Sequence, residues 1–273
     1  MNDKDYRFNF IVNILDGGFF GLALGFASFL TIIPLFVNRL TDSAILIGLI
    51  PAIHSFGYHL PPLFLANRVT RLRRFLPMVL RMTIHERLPF LGMAFIAWFL
   101  PAIGPKTALA LTYVMLIWQG FGGGFAFTPW QSLIGKIMPS RNRGAFFGFQ
   151  AAALNLLLFG SAVLAGILLS QYDSPYDFFL CFILASVALV LSYIFLALTR
   201  EPESPPVDQE IDQDNFWHRM WAILRRDSNF RWFLVVRFFS QLSVMAFAFY
   251  TIYAVRRHAM SEAVSGLMMG VPA

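Results

Sequence analysis

Seven stretches of this sequence are longer and more apolar than a water-soluble core uses: Phe10 to Val37, Ala44 to Ala66, Phe75 to Leu100, Thr107 to Ile134, Gly144 to Ser170, Tyr176 to Leu198 and Trp232 to Val255. Each exceeds the roughly 20 residues that carry an α-helix across a hydrocarbon core of about 30 Å. A membrane strand crosses with about half that number and alternates apolar with polar residues, a pattern these blocks lack. The chain therefore reads as an all-α, polytopic transmembrane bundle with seven full spans. An eighth begins near Ala263 and stops about halfway across, so a fragment of a longer reading frame is expected. The 58% hydrophobic and 13% charged composition leaves lipid as the solvent. The polar opening "MNDKDYRFN" precedes a block too long for a signal-peptide core, so the first span is expected to remain as an anchor.

Insertion retains positive charge on the cytoplasmic side, and the loops differ sharply in Lys and Arg. Fourteen of the 21 fall at the N-terminus, between spans two and three, between four and five, and between six and seven. The opposite loops hold Arg39, Lys106, Arg256 and Arg257, and Arg81, Arg87 and Arg237 lie within spans. A cytoplasmic N-terminus in the cell membrane follows. The same bias accounts for the net charge of +6, and no aromatic, Arg-rich motif points to nucleic acid. The single cysteine, Cys181, excludes an internal disulfide framework.

Residues 199–230 are the long polar connection. Their opening "TREPESPPVDQEIDQDN" favours a flexible linker, because proline and acid deny the chain a core. The following "FWHRMWAILRRD" sets Trp217, Trp221 and Leu224 at helical spacing beside Arg219, Arg225 and Arg226, the pattern of an interfacial helix on an anionic leaflet. The connection divides a six-span unit, 1–198, from an incomplete second unit, 231–273.

The third span carries Arg81, His85, Glu86 and Arg87. At about 1.5 Å per residue Glu86 lies roughly 16 Å from the start of the span, near the middle of the hydrocarbon. A helix begun after these charges leaves too few residues to cross. At about 100° per residue Arg81 and His85 share a face, while Glu86 and Arg87 turn away from it, so neighbouring helices must answer some of them. The first span offers Asp16, stacked with Asn9 and Asn13 on one polar face, and Gly17, Gly21 and Gly25 on another face that lets a helix approach closely. The fifth span repeats the arrangement with Gly144, Gly148 and Ala152 as small residues and Gln150 and Asn155 as polar ones. Arg237 and Gln241 stand one turn apart in the seventh. Two readings stay open for Asp16, Arg81, His85, Glu86 and Arg87: a cavity-lining network that gains and loses a proton, or a static ionic clamp in which two arginines neutralise two acids.

"HERLP" fails as a zinc helix because Pro89 stands where the second histidine belongs. "GFGGGF" at 120–125 lacks the lysine and the preceding strand of a phosphate loop, so close helix packing or an unwound segment beside a cavity explains it. Trp118, Gln119 and Gln131 are candidates for solute contact, and Tyr250 and Tyr253 read as interfacial anchors. No metal site and no cofactor is implied.

The loop "LFLANRVTRLRR", 63–74, resembles the signature loop of the major facilitator superfamily: Leu65, Ala66, Arg68 and Arg71 match, whereas Leu63 and Thr70 replace its glycines and Asn67 replaces its acid. The loop "MPSRNRGAFFG", 138–148, is similar to the family's pattern after the fourth span, through Arg141, Arg143 and Gly144. With "TIIPLF" closing the first span, the resemblance covers essentially the whole chain. It implies two six-helix halves of inverted repeats that rock about a midplane site. Of these the chain supplies the first and the start of the second. The implied function is transport of a small solute by alternating access, with a proton as candidate coupling ion. The implied partners are membrane lipid, the solute, and a missing C-terminal half or another copy. Residues 67, 68, 71, 141, 143 and 144 take the family's cytoplasmic gate role. The fifth span lacks the glycine-proline signature of the family's drug antiporters, and the substrate stays unnamed. The alternative is a shortened, non-transporting membrane protein that associates through its glycine faces. An intramembrane enzyme ranks last, for want of paired aspartates or a serine-histidine set.

Overall fold

The computed structural model describes residues 2–69, 71–204, 216–240 and 253. Among them every regular element is helical: α1 (Asp3–Phe26), α2 (Ile32–Leu40), α3 (Ala44–Val69), α4 (Leu76–Ile137), α5 (Ser140–Gln171), α6 (Tyr176–Ala197) and α7 (Phe216–Arg226), with residues 228–240 also helical. Five of these are long and apolar enough to cross a membrane. Gln241, Tyr250, most of the seventh span's outer half and the expected eighth span lie outside the described residues.

Three spans differ in form from the expectation. The first is not one rod: the helix stops at Phe26 and resumes at Ile32. Pro34 has no N–H for the Leu30 carbonyl and crowds it. The intervening turn is closed instead by Ile33 N–H on the Ser28 carbonyl (3.0 Å) and Leu30 N–H on Ser28 Oγ (3.2 Å). The third and fourth spans are contiguous in α4, whose 62 residues would reach about 93 Å if straight, three times the hydrocarbon thickness. The element folds back at Gly104, where φ 75° and ψ 162° fit glycine alone. Residues equidistant from that turn meet: Gly92 faces Met115, and Gly122 faces the backbone of His85. α4 is thus two antiparallel arms.

α1 packs on α5 and α6, α3 packs on α4, and α4 packs on α6. The glycine face of α1 makes the first of these contacts. A Cβ at Gly21 would stand 2.3 Å from the Leu154 carbonyl oxygen, and one at Gly25 2.4 Å from that of Leu158. The expected mirror of this face on α5 is a correction: a methyl group added at Gly144 or Gly148 would meet nothing within 4 Å, and α5 meets α1 through Gln150, Leu154, Leu157 and Ser161. One helix supplying the small residues suffices for close approach, so the other presents its bulkier side.

The GFGGGF run is regular helix and forms a tight junction. Gly124 lies against the Gly57 carbonyl and Pro61 of α3, and Gly122 against the first arm of α4. A Cβ at Gly122 would stand 2.3 Å from the His85 carbonyl carbon, a backbone atom that no rotamer change can move. Gly122→Val is therefore expected to destabilise the bundle by about 3 kcal/mol, read as a lower melting temperature in detergent; an unchanged melting temperature would contradict this packing.

Apolar side chains collect in two clusters. The larger lies toward the α2 end, around Phe36, Phe90, Met93, Phe178 and Phe182, and the smaller toward the Arg-rich end, around Val79, Leu133, Ile137 and Phe146. Asp16, Glu86 and Arg87 fall between them in chain register, at mid-depth. Large apolar groups such as Phe95, Trp98, Leu156 and Val190 remain exposed around the bundle, as lipid contact permits and water would not.

Candidate functional site

Glu86 and Arg87 sit ten and eleven residues into the first arm of α4, about 15 Å from its start. Being consecutive, they point about 100° apart, and α1 and α6 answer Arg87. Its Nη2 lies 3.3 Å from Asp16 Oδ1 and donates to Ser192 Oγ at 2.9 Å, while Ser192 donates to the same Asp16 oxygen at 2.6 Å. The Phe20 ring covers the guanidinium at 5.5 Å. Arg87, Asp16 and Ser192 therefore form a closed three-helix knot.

Glu86 is held differently. Its Oε2 lies 3.9 Å from Arg87 Nη1, and Thr83 Oγ1 donates to it at 3.4 Å. Its side chain is 12% exposed, and it borders a cavity of about 220 Å³ lined also by Asp16, Tyr58, Phe127, Trp130 and Gln150. A carboxylate with long contacts at a cavity wall is free to change partners. Asp16, which accepts a 2.6 Å hydrogen bond from Ser192 and lies 3.3 Å from the guanidinium, is held more firmly.

Arg81 and His85 are exposed and share the outward face of the first arm, as their spacing predicts. Trp118 Nε1 donates to His85 Nδ1 at 3.2 Å. Asn13 is buried, but it faces the chain after α6: its Nδ2 donates to the Asn9 carbonyl (2.9 Å) and to Thr199 Oγ1 (3.1 Å). Gln119 is buried and pairs with His54 Nδ1 at 2.9 Å, beneath the stacked ring of Phe29. Asn155 is exposed and turned back on its own helix, to the Ala151 carbonyl. Arg237 is exposed, and Gln241 lies outside the described residues.

At the Arg-rich end, Arg68, Arg71, Arg141 and Gly144 are exposed, and the side chain of Asn67 lies outside the described ones. Arg143 closes the C-terminus of α4, with Nε donating to the Met138 carbonyl at 3.1 Å and Nη2 to that of Gly135. A cation there meets the carbonyls that the last turn leaves unpaired.

The start of the connection corrects the expectation of flexibility. Residues 199–204 lie on the bundle as a strap. Arg200 exchanges two hydrogen bonds with Asn9 (both 2.8 Å) and pairs with Asp5 at 2.7 Å. Glu201 accepts from the Phe75 and Leu76 N–H groups (2.8 and 2.7 Å) and from Lys136 at 2.8 Å. The acid thus caps the N-terminus of α4, satisfying donors that a helix cannot satisfy itself. Composition missed this because the partners are tertiary. Glu201→Ala is expected to lower stability by about 2 kcal/mol, seen as a drop in melting temperature that Glu201→Gln recovers in part; full stability of the alanine variant would contradict the strap.

Ser192, Thr83 and Tyr58 also escaped the sequence reading. Thr83 was accessible, standing one turn before Glu86 on the same arm. A lone serine in α6 carries no such signal. Among the described residues no group of three or more His, Cys, Asp or Glu comes together to hold a metal ion.

A family model described as Major Facilitator Superfamily matches residues 15–273. Comparison with the curated proteins finds no match. A match over nearly the whole length, on an all-helical bundle with several membrane-length helices, means that this chain belongs to the major facilitator superfamily and is a multi-pass membrane transporter of that type.

Proposed function

We propose that the protein carries a small solute across the cell membrane by alternating access, coupled to protons through Glu86. Its N-terminus and Arg-rich loops face the cytoplasm. In this reading the six-span bundle, 1–198, rocks against a second bundle supplied beyond the linker or by another copy. The linker's helix α7 rests on the anionic leaflet.

One observation carries the choice of coupling over a static clamp. Permanent neutrality at mid-depth needs two arginines for two acids, and Arg81 faces outward on another side of the helix. Asp16 and Glu86 share Arg87 alone among the described residues. The surplus charge in a low-dielectric layer costs several kcal/mol, and a proton on the loosely held carboxyl removes it. The knot of Asp16, Arg87 and Ser192 then keeps α1, α4 and α6 together while Glu86 changes state. Of the glycine faces through which the non-transporting alternative would associate, that of α1 is already taken by α5, whereas Gly144, Gly148 and Gly160 of α5 stay open.

The test is flux. The full chain in proteoliposomes, given an imposed pH gradient and a panel of labelled organic solutes, is expected to accumulate at least one solute and to dissipate the gradient faster in its presence. Solute movement indifferent to the gradient would contradict coupling, and no movement of any class would contradict transport by this chain alone.

A further inference from the structure

We infer that the outward face of the first arm of α4 holds one anionic glycerophospholipid, with its phosphate on Arg81, an ester carbonyl on His85 and an acyl chain in the crevice between α4 and α6. The site lies on the lipid side of the bundle and is independent of what the central cavity carries. Three features point to it.

The first is a charge that nothing answers. Arg81 is exposed, and among the described residues it makes no ion pair. Glu86 stands five residues on, about 140° around the helix, and borders the central cavity instead. Arg81 lies about 8 Å into α4, and a long side chain that leans back along the helix carries its guanidinium toward the headgroup level at the Arg-rich end. A phosphate of a singly negative lipid fits this lone cation. A zwitterionic lipid brings an ammonium as well, for which the stripe of Arg81, Ile84, His85 and Leu88 offers no acid.

The second is a donor held out toward hydrocarbon. Trp118 Nε1 donates to His85 Nδ1 at 3.2 Å. An indole nitrogen only donates, so Nδ1 is the acceptor and the neutral ring carries its proton on Nε2. His85 is exposed one turn deeper than Arg81 on the same face, where hydrocarbon has no acceptor to give it. The ester carbonyls of a glycerophospholipid lie just below its phosphate and supply one.

The third is a place for the chain. A crevice of about 240 Å³ opens between α4 and α6. Ile84, Leu88 and Val190 line it half exposed, and Leu189 lines it buried. Ser186 commits its hydroxyl to the Phe182 carbonyl. Arg87 also borders the crevice, but its Nη atoms are engaged by Asp16, Ser192 and Glu86 and its Nε is buried without a partner. The crevice therefore selects hydrocarbon. An apolar cavity of about 150 Å³ holds benzene, so this one has room for a stretch of acyl chain. Ile84 stands one turn beyond Arg81, which makes the head and chain sites continuous.

The test is equilibrium binding to the full chain in detergent, counted lipid by lipid by native mass spectrometry. The probes are dioleoyl phosphatidylglycerol, dioleoyl phosphatidylcholine, and sn-glycerol 3-phosphate, which carries the phosphate without a chain. The expected result is one phosphatidylglycerol held about tenfold more tightly than phosphatidylcholine, the worth of a charge-assisted hydrogen bond, with glycerol phosphate unbound. Arg81→Gln should weaken that first lipid about tenfold and remove its preference. His85→Phe keeps a ring but lacks the Nε2 donor, so it should weaken both phospholipids alike, by about threefold. Val190→Trp crowds the crevice and should also weaken both. All three side chains are exposed, so each variant should melt in lipid-free detergent close to the parent protein. Equal affinity of the parent for the two phospholipids overturns the inference, as does glycerol phosphate bound as tightly as the lipid. A preference that survives Arg81→Gln places the anionic lipid elsewhere, such as on α7, and overturns it too, as does binding indifferent to His85→Phe or Val190→Trp.

Discussion

Replacing Arg87 with methionine is expected to cost the bundle about 3 to 5 kcal/mol, the penalty for leaving buried charge without its partner. Methionine fills comparable space, so lost packing contributes little. The cost arises because Asp16, 5% exposed, keeps Ser192 as its one remaining close partner, and Glu86 keeps a 3.4 Å contact to Thr83. The destabilisation should shrink as pH falls, since protonation removes the stranded charge. It should also shrink in the Arg87→Met, Asp16→Asn double variant, because the two positions act as one unit. Melting temperature in detergent against pH reads both effects. Equal, additive losses at all pH values would mean that the knot carries no charge coupling.

Glu86→Gln is expected to leave the fold intact and to abolish pH-driven accumulation. Glutamine matches the side chain in volume and still accepts from Thr83, so its melting temperature should stay close to that of the parent protein. An imposed gradient of about two pH units sustains about a 100-fold solute ratio at one proton per solute, each tenfold being about 1.4 kcal/mol. The variant, with no proton to exchange at this position, should bring that ratio to about one. A static clamp predicts an undiminished ratio.

The fold was largely legible because lipid imposes one strong rule: apolar length. The start of α3, the bounds of α6 to within a residue and the turn at 101–106 follow from it directly, whereas α3 runs on to Val69, into the loop expected at 63–74. The interruption at 27–31 was legible only in part, since Pro34 sits in the first turn of the resumed helix, where proline is tolerated. For the site, helical spacing separated Arg81 and His85 from Glu86 and Arg87 and offered Asp16 as counter-charge. Which arginine faces inward is set by the packing of α4 on α6 and by the reach of Asp16 from α1, so the sequence left clamp and coupling open. Asn13 shows the same limit. Its helical face is polar as expected, but the partner that buries it is the strap after α6, whose composition reads as linker. Glu201 looks like one acid in a charged loop until the helix start it caps is placed beside it.

The central claim is that Glu86, and not Asp16, carries the exchangeable proton. Infrared difference spectra of the full chain, recorded as pH is lowered, measure it through the C=O stretch of a buried protonated carboxyl. The account predicts one such band in the parent protein, absent in Glu86→Gln and retained in Asp16→Asn. A band that persists unchanged in Glu86→Gln, or vanishes with Asp16→Asn alone, contradicts it.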